Sequence, residues 1–228
     1  MPKLHANNID LYYETAGQGP PILFIHGLGS SARDWEKQIP IFSKQYQAVS
    51  LDLRGHGISQ KPPGPYSMSL FANDIAGLIE ALGIAPVHVV GISLGGMIAF
   101  QLGVDHPGLL KSLVIVNSGP EAVVRTIKDR WQVFMRFAVV RLLGMRKMGE
   151  VLGARLFPRE EQAGLREVFV ERWAENDKRA YLNTLRAIVG WSVADCIHNI
   201  NLPTLVVAAD GDYTPVSAKE AFVGEMPT

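Results

Sequence analysis

Cysteine is nearly missing from the 228 residues: Cys196 stands alone, so no disulfide can form within the chain. Without a second cysteine, and with no His/Cys grouping at ligand spacing, a structural zinc site is not expected either. Cys196 reads as a free core thiol. Net charge is missing as well, with 22 Lys and Arg against 22 Asp and Glu. Residues 121–200 carry 14 basic against 10 acidic side chains, an excess too small and too dispersed for a nucleic-acid-binding face. No nucleic-acid partner is therefore expected. No apolar run approaches the length that spans a bilayer, and the opening residues 1–8 hold no signal-peptide core. Neither membrane association nor export is expected, which leaves the cytoplasm as the default location. Internal repeats and low-complexity stretches are also lacking.

What is present is a composition of 47% hydrophobic and 19% charged residues, enough for one large core with an inserted subdomain. Residues 9–15 alternate after Asn7-Asn8, which predicts an opening hairpin, and the continuous apolar run 21–25 predicts a buried strand. Further strand candidates at 48–53, 87–91, 113–116 and 204–209 alternate with helix candidates. That rhythm predicts an α/β fold with a mostly parallel sheet flanked by helices. Ser67 or Ser69 caps a helix that runs to Leu82 and stops at Gly83, and Pro107 ends another that begins near Leu94. Between 121 and 200 no strand is evident. There Val124, Ile127, Trp131, Phe134, Ala138 and Leu142 recur at helical spacing, predicting a helical insertion of about four helices punctuated by Gly144, Gly153 and Pro158. The chain thus divides into a first core part (1–120), a helical cap (121–200) and a second core part (201–228).

The chemistry centres on Gly91-Ile92-Ser93-Leu94-Gly95. A serine between glycines two residues away on either side, after the strand His88-Val89-Val90 and before a helix, reads as a nucleophile elbow. The small residues permit a sharp turn, and the turn exposes the serine Oγ at a helix N-terminus, where N–H groups stabilise a developing oxyanion. Leu94 N–H is the first such donor. Ser93 could instead simply cap the helix, but that leaves the paired glycines unexplained.

A second turn, Gly27-Leu28-Gly29-Ser30-Ser31-Ala32, fits the dinucleotide pattern G-x-G-x-x-A, with Asp52 about 20 residues further on. A dinucleotide-binding oxidoreductase is the rival from another enzyme class. Its turn normally follows the first strand, whereas here a hairpin precedes it. Read with the elbow, His26-Gly27-Leu28-Gly29 is an oxyanion loop whose Leu28 N–H is the second donor.

Four segments in order, His26–Gly29, Asp52-Leu53-Arg54-Gly55-His56-Gly57, Gly91–Gly96 and Asp212-Tyr213-Thr214-Pro215, make the chain similar to the α/β-hydrolase superfamily, especially its esterase, lactonase and haloperoxidase-like members. The resemblance implies Ser93 as nucleophile, Leu28 and Leu94 as oxyanion donors, residues 121–200 as a cap over an acyl pocket, and no cofactor. A serine at the elbow favours acyl transfer to water, with small apolar esters or lactones as substrates. Trp131, Phe134, Met135 and Phe137 are candidates to line the acyl pocket, or else pack the cap onto the core.

The resemblance places the acid just after the strand that follows the cap. Asp212 aligns with it, with Asp210 and Glu121 as alternatives. The general base has no counterpart. His26 belongs to the oxyanion loop, His56 to a turn, His88 to a strand, His106 to a helix end, His5 to the first hairpin and His198 to the cap exit. The expectation is a chain shortened at its C-terminus, lacking the final strand and helix, weak or inactive as an enzyme, and prone to dimerise through an exposed sheet edge. A hydrolase fold used only for binding is the alternative.

Overall fold

The computed structural model describes residues 2–212 and 214–227. Asn7 and Asn8 adopt φ of 47° and 58°, the left-handed pair that a two-residue hairpin turn requires and that asparagine tolerates. Strand β1 (Lys3–Ala6) therefore folds back on β2 (Ile9–Ala16), with Lys3 opposite Tyr12 and Ala6 opposite Ile9. The apolar runs follow as β3 (Pro21–Ile25), β4 (Gln47–Leu51), β5 (Val87–Ile92), β6 (Leu110–Val116) and β7 (Thr204–Val207). Their spatial order is β1-β2-β4-β3-β5-β6-β7, antiparallel as far as β4 and parallel beyond it.

The order reverses at β3. From there the chain moves to β4 on one side, then crosses to β5 on the other. Loops leaving the carboxyl ends of β3 and β5 thus diverge and open a crevice between them, the place where parallel sheets hold ligands.

Helix α1 (Ile39–Phe42) is a single turn, while α2 (Met68–Leu82) and α3 (Leu94–Asp105) close the main core. Ser67 Oγ accepts the Leu70 N–H at 3.1 Å, and Gly83, at φ 65°, ends α2, so Ser67 and not Ser69 is the cap. Phe71, Ile75 and Ile79 of α2 meet Ile98 and Leu102 of α3 over Leu23, Ile25 and Val89 of the sheet, all fully buried. Each such side chain stabilises the fold by about 1.5–3 kcal/mol on transfer from water. The buried Arg54 guanidinium grips Asp74 of α2 through two hydrogen bonds of 2.6 Å, and Asn7 Nδ2 adds a third at 2.8 Å. This pair ties the turn after β4 to α2.

Between β6 and β7 the regular elements among the described residues are helices, apart from one β-bridge, Glu121 with Ser192, at the base of the segment. Thr126 and Asp129 form a reciprocal cap that starts α4 (Ile127–Leu156). Gly144, at φ 83° and ψ −177°, breaks α4 into two rods. Gly153 lies inside the helix and does not punctuate it. After Pro158 come α5 (Ala163–Ala174) and α6 (Lys178–Ile188), the latter capped by Asp177. Val140, Met145, Met148, Trp173, Tyr181 and Leu185 give these helices a core of their own.

The expected apolar face of α4 is corrected by this packing. Its period is right, but Ile127, Trp131, Phe134 and Leu142 are exposed, at 86%, 60%, 59% and 82%. The buried side is Val140, Met145 and Met148, because that side meets α5 and α6. Of the pocket candidates, Trp131, Phe134 and, to a lesser degree, Met135 are exposed, and only Phe137 packs against the helical core. Cys196 is half-buried in a short 3₁₀ turn and not in the core. The chain returns through β7 to α7 (Val216–Val223), a helix with no forecast in the sequence. β7 is the outermost strand and exposes Leu205 and Val207. Among the described residues no helix is long and apolar enough to cross a membrane.

Candidate active site

Ser93 joins β5 to α3 at φ 52° and ψ −114°, a conformation that strains any residue with a Cβ. The turn survives because the chain on both sides is glycine. A Cβ on Gly91 would overlap the Gly95 carbonyl, and one on Gly95 would overlap the Ile25 carbonyl of β3. Backbone bonds then lock the turn: Ser93 N–H donates to Val116 O at 3.0 Å, and Met97 N–H donates to Ser93 O at 3.1 Å. Ser118, whose part was not evident from sequence, donates its hydroxyl to the same Ser93 carbonyl at 2.7 Å. Ser93 itself is exposed and makes no side-chain cap to α3, which removes the capping explanation.

The loop after β3 comes directly against this turn. A Cβ placed on Gly27 would lie 3.7 Å from Ser93 Cβ and 3.6 Å from Ile92 O, in van der Waals contact with the serine, so glycine keeps the space beside Ser93 clear. His26 orients the loop. Its Nε2 accepts the Leu53 N–H at 3.0 Å and its Nδ1 donates to Gly27 O at 2.7 Å. That carbonyl shares a planar peptide with Leu28 N–H, so fixing the one sets the direction of the other. Among the described residues neither Leu28 N–H nor Leu94 N–H is used by a protein acceptor.

Asp52, the acid of the dinucleotide pattern, is buried and spent. Its two oxygens accept Ala32 N–H and Ile58 N–H, each at 2.8 Å, so the carboxylate braces two turns of the chain itself. Asp212 sits in the loop that leaves the carboxyl end of β7, two strands along the sheet from β5 and Ser93. Its side chain is buried with that of Lys219 from α7, whose Nζ donates to Asp212 Oδ2 at 2.6 Å and to Thr214 O and Oγ1 at 2.9 Å. Sequence reasoning missed Lys219, since nothing in Lys-Glu marks a buried lysine. Tyr213 of the same segment lies outside the described residues. Asp210 is exposed, and Glu121 is paired with Arg125 in both oxygens.

No histidine hydrogen-bonds Ser93 or Asp212 among the described residues. His5 pairs with Asp10, His88 with Ser112 and His106 with Asn73. His198 is exposed on the 3₁₀ turn. His56 Nδ1 donates to Arg54 O at 2.9 Å. Among the described residues no cluster of three or more His, Cys, Asp or Glu could hold a metal. A cavity of about 460 Å³ opens between Tyr12, Asp52, Arg172 and Asn176. A second of about 460 Å³ runs between Leu205, Val216, Val223 and Met226. Neither includes Ser93.

The family described as the alpha/beta hydrolase fold matches residues 20–147, more than half of the chain. The 3-oxoadipate enol-lactonase 2 of Acinetobacter baylyi is 27% identical over 97% of this chain and 83% of its own. The (E)-2-((N-methylformamido)methylene)succinate hydrolase of the same organism is 30% identical, covering 91% and 78%. The crystal structure of the enol-lactonase from Burkholderia xenovorans LB400 superposes with a TM-score of 0.89 at 23% identity, over 99% of this chain and 88% of that one. It shares the fold.

The buried histidines carry a pH signature. Burial pushes His26 down to about 4. Burial, then the neighbouring His26 ring at 5.1 Å, pushes His56 down to about 3. Both are neutral when folded and protonate near 6.5 when unfolded. The unfolded state therefore binds more protons below pH 6.5, and stability falls as pH falls toward the folded values. Urea unfolding from pH 7 to 4.5 should show a loss of about 2 kcal/mol per ring, and His56→Gln should remove about one proton of the slope. A flat profile would contradict the neutral, buried assignment.

Proposed function

The chain belongs to the alpha/beta hydrolase fold family, and we propose that it is a serine hydrolase cleaving a carboxylic ester or lactone through an acyl-enzyme on Ser93. The observation that carries this reading is the exposed, strained Ser93 beside Gly27 and the two unused N–H groups of Leu28 and Leu94. Ser93 Oγ attacks the carbonyl carbon, and the tetrahedral oxyanion takes both N–H groups at the positive end of α3. Collapse breaks the bond to the alkoxide, which leaves as the alcohol with the proton given up by Ser93 Oγ, or opens the lactone ring to a tethered hydroxyl, and water then adds to the acyl ester, returning a proton to Ser93 Oγ and releasing the acid. Residues 121–200 act as the cap in this reading, and the substrate is small and apolar. The names of the enol-lactonase relatives favour a cyclic ester.

Asp212 is the acid of choice, with Lys219 holding one carboxylate oxygen. We assign no base, since each histidine with a hydrogen-bond partner is engaged elsewhere and His198 is exposed at the far end of the helical segment. Without a base the hydroxyl is a poor nucleophile, and losing one triad member removes several orders of magnitude in rate. Turnover by these 228 residues is expected to be weak. The same observation favours a second reading, a hydrolase fold that binds its ligand without cleaving it.

A fluorophosphonate probe separates the two. Labelling confined to Ser93 and abolished by Ser93→Ala supports the hydrolase. An unlabelled protein leaves the binding reading. We also propose that the edge of β7, outermost among the described strands and exposing Leu205 and Val207, pairs with a second copy of the chain. Sedimentation should then show a dimer at micromolar concentration that Leu205→Lys converts to monomer, and a monomer throughout would end that proposal.

A further inference from the structure

Four of the five residues 172–176, at the end of α5, reach across to the loop that follows β3. Arg172 donates to Glu36 at 2.9 Å and to Arg33 O at 3.3 Å. Glu175 pairs with Arg33. These two contacts are exposed and contribute little each. The other two touch Gly29, the residue after the oxyanion donor. Asn176 Nδ2 donates to Gly29 O at 2.8 Å. Trp173, 5% exposed, lays the outer ring of its indole so close that a Cβ on Gly29 would lie 2.8 Å from Cη2 and Cζ2. Gly29 also holds φ +76°, so glycine is required there twice over.

Trp173 is in turn fixed by Phe169 and Tyr181, with ring centroids 5.5 and 5.6 Å away. The Leu28 side chain sits against both the sheet core and this helical cluster. The loop carrying Leu28 N–H is thus held from two sides. On the core side His26 grips the Gly27 carbonyl. On the helical side Asn176 grips the Gly29 carbonyl two peptides further on, while Trp173 blocks the loop from swinging outward.

We infer that Asn176 and Trp173 are positioning residues that set the Leu28 oxyanion donor, so that the helical segment and the oxyanion loop move as one unit. This rests on the hydrolase reading for its catalytic meaning. A donor displaced by about 1 Å costs on the order of a hundredfold in rate, and removal of a donor costs a similar factor or more. Any motion that lifts α5 from the core therefore disables the hole without touching Ser93.

Asn176→Asp keeps the shape but turns the donor into a repelled acceptor. Trp173→Phe removes the ring edge that meets Gly29 and keeps an aromatic in the cluster. Each should slow fluorophosphonate labelling of Ser93 and kcat for p-nitrophenyl acetate by about tenfold or more, with KM within about twofold. Deuterium uptake at the Ala32 and Leu53 amides, held by Asp52 and His26, should rise while the thermal midpoint stays within a few degrees. Labelling and uptake at the parent rates in both variants would overturn the inference. If the parent takes no label, the hydrolase reading fails, and deuterium uptake alone decides whether the helices hold the loop.

Discussion

The constraint on which everything else depends is the closeness of the backbone around Ser93. β5 and α3 meet so tightly, and β3 passes so near, that side chains at Gly91 and Gly95 would occupy the same space as main-chain carbonyls. The serine between them is forced to φ 52°, at a cost of about 1–3 kcal/mol. That strain persists because the sheet register, the Ser118 hydroxyl and the buried α3 over-determine it. Its product is an exposed hydroxyl at a helix N-terminus in the crevice where strand order reverses.

Around this turn the polar groups are held with unequal firmness. The loop after β3 is gripped at the Gly27 and Gly29 carbonyls, by a neutral buried histidine and by Asn176. The acid side is different. Asp212 is buried with Lys219, and its partner in this structure is an ammonium and not an imidazole. On the proposed reading the Leu28 and Leu94 donors are therefore preorganised, while the proton-transfer arm is not assembled from the histidines described. That asymmetry is why oxyanion stabilisation is the better-supported half of the proposed chemistry.

Much of this was legible from residue patterns because glycine and asparagine report backbone geometry directly. Asn7-Asn8 announced the hairpin, Gly83 the end of α2, and the Gly91/Gly95 pair the elbow. The parallel sheet was legible as apolar runs at regular spacing. Contacts between distant segments were not. Which stripe of α4 is buried depends on where α5 and α6 lie, so Trp131 and Phe134 looked internal and are exposed. Lys219, Ser118 and Asn176 carry no local signature, since each matters only through a partner 7, 25 or 147 residues away. Asp52 shows the converse: its spacing suggested a ribose ligand, and its burial makes it a brace between two turns.

The most direct test of the central claim compares the unfolding free energies of Ser93→Gly and Ser93→Ala, with the same pair at Ser67 as reference. In a strand or helix interior alanine is at least as stable as glycine, and at an unstrained N-cap such as Ser67 glycine leads alanine by about 1 kcal/mol. At a turn held at φ 52° and ψ −114° strain adds to that lead, which should be larger at Ser93 than at Ser67 by about 1–2 kcal/mol. A glycine lead at Ser93 no larger than at Ser67 would mean that Ser93 is not held under strain, and the elbow account would fail.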